Sequence, residues 1–262
     1  MANIELGGDT STSDIQAVAR VGQICALFGP ETSELSAADV ADRLGLNRTT
    51  AYRYCVSLVA AGILDRGPRR GTFVLGGLML QLGLHALSRR QVIDLAPPHL
   101  AELGAAVGLT VVLSLWGARG PVVTLVEEDR SRMVVVTMSP GSELDAGYAQ
   151  TQLFLAYQAE DRASEWITEH AAPDDRAAIR AGVDAARSAG FAVARHATGV
   201  FAAAVPVFDE YGITATIALL GTDPRIDLGA GSAVLDRLLQ TAAVLSEELG
   251  GARAREDALP RP

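Results

Sequence analysis

A chain of 262 residues, 49% hydrophobic and 20% charged, is long enough for one large or two modest domains and can bury a real core, which excludes global disorder. A net charge of −9 excludes a surface coated in basic groups, and two cysteines, Cys25 and Cys55, exclude a disulfide framework. The polar, acidic start MANIELGGDTSTSD lacks a signal-peptide pattern, and no apolar run reaches the roughly 18 residues of a spanning helix; the expectation is a cytoplasmic protein with no membrane contact.

Residues 1–13 read as unstructured. From Asp14, apolar positions Ile15, Val18, Gly22, Cys25 and Phe28 recur at helical spacing, and the run stops at Gly29-Pro30. A second helix is expected from Ser36, whose hydroxyl can cap it with Asp39 three residues on, to a glycine stop at Gly45. A third runs from Asn47 to about Ala61. The short runs ILDR and TFVL, joined by GPRRG, then predict a two-stranded ribbon. Three helices and a basic ribbon are the order of a winged helix-turn-helix.

Charge singles out the same segment. All 22 basic residues are arginines, and between Arg43 and Thr72 six of them face one acid, Asp65. A local +5 in a chain of −9 is the mark of a part that meets a polyanion. At 100° per residue the third helix turns Ala51, Tyr54, Cys55 and Leu58 inward, and Thr49, Tyr52, Arg53 and Val56 outward. The N-terminal half of the second helix of such a motif enters the major groove, where arginine can bind guanine with two hydrogen bonds. Candidate DNA contacts are Arg48, Thr49, Thr50, Tyr52 and Arg53 on the helix, with Arg66, Arg69, Arg70 and Thr72 on the wing.

Residues 78–108 are again helical in pattern, with Pro97-Pro98 expected to kink or divide the run. After about residue 109 the period changes. LTVVLSLWG, GPVVTLVEED and RMVVVTMSP are β-branched runs ended by turn residues, and further strands are expected in GFAVARHATGVFAAAVPVFDEYGITATIALLGT, with a hairpin turn at Glu210-Tyr211-Gly212. Residues 148–170 and 173–189 are helical in composition, and a last amphipathic helix covers about Ser232 to Leu249. The expected organisation is a start (1–13), a winged helix-turn-helix (14–76), a helical linker and lead-in helix (77–108), an α/β domain with a mostly antiparallel sheet (109–250) and an unstructured tail (251–262). The class is α+β.

LSAADVADRLGLNRTTAYRYCVSLVAAGILDRGPRRGTFVLGGLMLQLG resembles the DNA-binding domain of isocitrate lyase regulator (IclR-type) transcription factors. The resemblance rests on the Leu-Gly-Leu turn, the basic, hydroxyl-rich start of the next helix, Gly62 before the wing and Phe73-Val74-Leu75-Gly76 closing it. It returns in RSAGFAVARHATGVFAAAVPVFDEYG and spans about Asp14 to Leu249. It implies a GAF-like effector-binding domain, a small organic effector with aromatic acids in its range, a pseudo-palindromic double-stranded DNA operator, homodimers joined through the N-terminal domain and linker, and pairing of dimers into tetramers. A repressor is expected. Where that family often carries a lysine-bearing motif, this chain reads LDAGYAQTQLFLAY, with Asp145, Gly147, Tyr148 and Gln152. The missing lysine points away from a simple carboxylate effector and toward a more apolar or phenol-lined pocket.

Candidate effector residues are the aromatics Trp116, Tyr148, Phe154 and Phe201 and the polar groups Thr151, Gln152, His196 and Thr216, because pockets are mostly apolar with a few placed polar groups. The four histidines, His85, His99, His170 and His196, have no partner at metal-ligand spacing. Ser114 and Ser139 lack a nucleophile-elbow context, Glu127-Glu128-Asp129 reads as a solvated loop, and no glycine-rich phosphate loop occurs. The expectation is a non-enzyme with no catalytic residue, metal or cofactor. The competing reading, a metabolite-sensing module whose winged helix binds a protein partner, is opposed by the basic 43–72 segment.

Overall fold

The computed structural model describes residues 16–129, 135–195 and 199–251. The head 1–13, the tail from 252 onward and His196 lie outside the described residues. The chain divides into two compact units, Met1–Ala86 and Leu87–Pro262. Among the described residues no helix is long and apolar enough to cross a membrane.

In the first unit α1 (Gln16–Cys25) sets Ile24 into a small core. β1 (Leu35–Ser36) leads directly into α2 (Ala37–Leu44). Ser36 and Asp39 form the expected capping box: Asp39 N donates to Ser36 Oγ at 3.2 Å, and Ser36 N donates to Asp39 Oδ2 at 2.8 Å. Gly45 ends α2 at φ 63°, a left-handed backbone that costs any residue with a Cβ. Asn47 then caps α3 (Arg48–Ala60), its Oδ1 accepting from Thr50 N at 2.7 Å. Ala51, Cys55 and Leu58 are its buried stripe. β2 (Leu64–Arg66) and β3 (Thr72–Leu75) form the ribbon, and β1, too short to stand out in sequence, pairs with β3 to give the order β1-β3-β2.

The linker differs from expectation. α4 (Gly77–Ser88) buries none of its residues. α5 (Gln91–Val107) starts after a break at Arg89-Arg90 and runs unbroken through Pro97 and Pro98. Each interior proline costs about 3 kcal/mol. Both prolines are on the solvent face, while Val92, Leu100 and Leu103 are buried below them, worth roughly 1.5–3 kcal/mol each. Tertiary burial on that scale offsets the lost backbone bonds.

The second unit is built on a fully antiparallel sheet, order β5-β4-β8-β7-β6: β4 (Thr110–Trp116), β5 (Pro121–Glu127), β6 (Ala192–Arg195), β7 (Phe201–Asp209) and β8 (Gly212–Gly221). Asp209 and Gly212 pair across the tight Glu210-Tyr211 turn, as the sequence predicts. α5 and α9 (Ala233–Glu248) cover one face, over Val111, Leu113, Phe201, Val205 and Ile217. α6 (Ala149–Ala156) lies on the other face, over Val112, Ala202, Ala204 and Ala218, with α7 (Glu160–His170) and α8 (Arg176–Ala189) outside it. The described part of the third β-branched run, residues 135–139, is irregular and not the expected strand. The outer edge of β5 is taken by the next loop, where Val123 N donates to Ser142 O at 2.9 Å and Leu144 N to Pro121 O at 2.9 Å. Gly251, expected in the tail, is buried and closes the end of α9.

Candidate nucleic-acid interface and candidate ligand layer

The buried stripe of α3 leaves Arg48, Thr49, Tyr52 and Arg53 exposed on the opposite side, with Thr50 half-buried behind the Asn47 cap. Arg69 is ion-paired to Glu34, whereas Arg48, Arg53 and Arg70 are exposed and form no ion pair among the described residues. Tyr52, 48% exposed, sets its ring 6.5 Å from Phe73 in an edge contact. The Arg66 guanidinium lies 5.1 Å from the centroid of the same ring. Phe73 is therefore a buried post between helix and wing, aligning Tyr52 on one side and Arg66 on the other.

Two wing candidates, Thr72 and Arg69, are engaged within the wing itself. Thr72 is buried, and its hydroxyl meets the Glu34 carboxylate and the Arg69 carbonyl. Arg69 spends its guanidinium on Glu34: Nε donates to Oε2 at 2.9 Å and Nη2 pairs with the same oxygen at 2.8 Å. Neither Glu34 nor Phe73 stood out as functional in the sequence. Glu34 lies outside the basic segment, and Phe73 reads as ordinary strand core. Cys55 belongs to the small core of this unit and Cys25 is half-buried on α1; burial pushes both thiols above their usual range.

In the second unit the effector candidates separate. Trp116 and Phe154 meet edge to face at 5.5 Å between β4 and α6. Trp166 also meets Trp116 edge to face, at 5.8 Å, and donates its indole N–H to Arg119 O at 2.8 Å. Tyr148 packs against the same cluster at the start of α6. Thr216 is fully buried beside them, accepting from Gln150 Nε2 at 3.2 Å, and Gln150 Nε2 also reaches Ser114 Oγ at 3.0 Å. Ser114 and Trp116 alternate to one face of β4, while Gln150 and Phe154 share one face of α6 four residues apart. An aromatic pair and a neutral polar trio thus lie side by side in one layer.

Phe201 does not belong to that layer. Its side chain is on the opposite face of the sheet, packed under α5 and α9, because residues of a strand alternate sides. Thr151 is buried with its hydroxyl directed to Leu144 O at 3.4 Å. Gln152 points outward into a separate cleft of about 460 Å³ formed with Asp145, His170, Asp175 and Ile179. Gln150 and Ser114 were the polar groups missed. Each looks like an ordinary helix or strand residue until β4, β8 and α6 bring them together. Among the described residues, no three or more of His, Cys, Asp and Glu converge as a metal ion would require.

With this geometry in place, comparison with known proteins is informative. The IclR helix-turn-helix domain family matches residues 17–68, and the C-terminal domain family of bacterial IclR transcriptional regulators matches residues 84–247. The chain is 25% identical over 248 residues to the HTH-type transcriptional regulator XynR of Escherichia coli K12, covering 90% of this chain and 98% of XynR. It is 26% identical over 233 residues to the E. coli DNA-binding transcriptional repressor YiaJ, covering 81% and 80%. In fold it resembles the crystal structure of an IclR homolog from Microbacterium hydrocarbonoxydans complexed with 4-hydroxybenzoate. The TM-score is 0.70 at 22% identity, over 89% of this chain and 98% of that one.

Proposed function

This chain belongs to the IclR family of bacterial transcriptional regulators, and from that premise we propose a division of labour between its parts. Residues 14–76 bind a pseudo-palindromic operator and residues 109–250 take the effector, with 77–108 as the link between them. Operator binding represses, and the effector relieves it. The observation that carries the DNA half is α3, where Arg48, Thr49, Tyr52 and Arg53 stand exposed over a buried stripe, beside a wing bearing Arg66 and Arg70. These are the residue types that read base edges and phosphates. Titration of the full chain against the DNA upstream of its own gene tests the reading. Saturable binding, tighter than to random duplex and weakening steeply with salt, is expected. Equal affinity for both duplexes at every salt concentration sinks it.

The effector class follows from the layer between α6 and the sheet. Trp116 and Phe154 offer aromatic edges and faces, and Ser114, Gln150 and Thr216 offer neutral hydrogen-bonding groups. We infer a small organic effector with an aromatic ring and a hydroxyl, for which a neutral site suits a phenol better than a bare carboxylate. A thermal-shift series of phenol, 4-hydroxybenzoate and benzoate on the full chain separates these, since a ligand at about 100 times its Kd adds about 2.7 kcal/mol. A rise with benzoate equal to that with the phenols overturns the inference.

We further propose a homodimer joined through the first unit. Leu78, Leu80, Leu82 and Leu84 of α4 are exposed, and a mostly apolar groove of about 510 Å³ lies between α1 and α3, lined by Ala17, Val21, Tyr54, Leu58 and Ile63 and also by Thr50, Arg53 and Ser57. Apolar area of this kind marks an interaction surface, and a second copy supplies the leucines to fill it. L80E/L84E should give a monomer in light scattering, where the wild type gives a dimer or a pair of dimers. An unchanged mass contradicts this interface.

A further inference from the structure

We propose that Glu34 is the positioning residue of the wing and that Arg69, despite its place among the basic residues, serves Glu34 instead of DNA. The proposal rests on the DNA-binding reading and refines the roles within it.

Glu34 sits one residue before β1, whose Ser36 pairs with Thr72 of β3. From there its carboxylate gathers the whole turn. Oε1 accepts from Arg69 N at 3.3 Å and from the Thr72 hydroxyl, while Oε2 accepts from Arg69 Nε at 2.9 Å and pairs with Nη2. The Glu34 side chain is 15% exposed and that of Arg69 73%, so the acid is the embedded partner and the arginine folds back over it. Gly67 completes the device. A Cβ there would collide with Thr72 Oγ1 and come within 2.9 Å of Glu34 Oε1, so the carboxylate reaches the turn only over a residue without a side chain. The turn closes with Gly67 N donating to Thr72 O at 2.9 Å and Thr72 N to Arg69 O at 3.2 Å. Because β1 runs straight into the Ser36–Asp39 cap of α2, the same tie holds the wing to the helix-turn-helix. An arginine whose Nε and Nη2 both donate to one carboxylate already has its charge paired, whereas Arg70 has no ion pair among the described residues.

This assignment predicts a sign opposite to simple electrostatics. Removing a carboxylate beside a polyanion ought to tighten binding; removing a latch loosens it. Wild type, Glu34→Gln, Thr72→Val, Arg69→Gln and Arg70→Gln are titrated with operator and random duplex across a salt series, and amide hydrogen exchange is followed without DNA. Glu34→Gln and Thr72→Val are expected to weaken both duplexes about three- to tenfold. Arg69→Gln is expected to weaken binding with the salt slope intact, whereas Arg70→Gln lowers the slope by about one. The Arg69 and Thr72 amides should exchange faster in Glu34→Gln and Thr72→Val, with α3 amides unchanged, which separates a loosened wing from a damaged fold. Tighter binding by Glu34→Gln, or a slope lost on Arg69→Gln, overturns the proposal, as does exchange that is unaltered or accelerated throughout the unit. The exchange measurement needs no DNA, so failure of the DNA reading is distinguishable from failure of the latch.

Discussion

The exposed face of α3 and the layer under α6 are built in opposite ways. The first is one contiguous segment, in which a single period of about 3.6 residues decides what faces core and what faces solvent. The second is assembled from Ser114, Trp116, Gln150, Phe154 and Thr216, which come from three elements, β4, α6 and β8, far apart in the chain. A contiguous site tolerates local change because its scaffold lies behind it. A layered site is itself the core of its unit, so changing it tests stability and function together.

The largest expected effect falls on the layer. Phe154→Ala removes a fully buried ring from its contact with Trp116 and should cost about 3–5 kcal/mol in thermal or denaturant unfolding. A loss below about 1 kcal/mol would place Phe154 beside an open space instead of in a packed layer. Gln150→Leu keeps the volume but strands the Ser114 and Thr216 hydroxyls, and should cost about 1–3 kcal/mol. If the substitution is neutral, the trio contributes ligand contacts and little structure.

On α3 the same kind of truncation should leave stability alone and act on recognition. Arg53→Ala is expected to reduce operator discrimination by about 1–3 kcal/mol with the melting curve unchanged, whereas Arg70→Ala should weaken operator and random duplex alike. Parallel titrations check this, and equal losses for both variants would dissolve the distinction between reading helix and wing.

The smallest effect is one of pH, and it concerns the wing alone. The Thr72 hydroxyl, and after it the Arg69 amide and guanidinium, hold the Glu34 carboxyl below its ordinary range. A carboxylate depressed on folding stabilises at pH above its unfolded value, and that contribution fades as pH falls through the folded value. The tie should therefore persist through neutral and mildly acidic pH and loosen below the usual glutamate range. The Arg69 and Thr72 amide resonances report it, and a transition at about pH 5 to 6 would contradict the depressed value.

The legibility of the chain follows the same contrast. The capping box at Ser36, the Asn47 start, the Gly45 stop and the inward run Ala51, Cys55 and Leu58 could be read directly, because each depends on neighbours within a turn or two. Pro97-Pro98 does not divide the run, because the local cost of helix breaking is outweighed by burial of Val92, Leu100 and Leu103, which sequence does not display. The run RMVVVTMSP misled for a related reason. Its β-branched composition is that of a strand, but whether Val135–Ser139 pair depends on who already occupies the edge of β5. Aromatic type alone groups Phe201 with Trp116, Tyr148 and Phe154, yet strand alternation sends it to the other face of the sheet.

The amino-acid order alone determined the winged helix-turn-helix, the basic character of residues 43–72 and the sidedness of α3, since these are set by periodicity, capping and local charge. Only the tertiary structure decided that Glu34 claims Arg69, that Phe73 aligns Tyr52 with Arg66, and that Gln150 meets Ser114 and Thr216. Those relations link residues from 7 (Arg66 and Phe73) to 66 positions apart (Gln150 and Thr216), and nothing in a linear pattern fixes which distant polar group will satisfy another. Burial does: once a core closes, each polar group inside it must be paired, and the fold decides with whom.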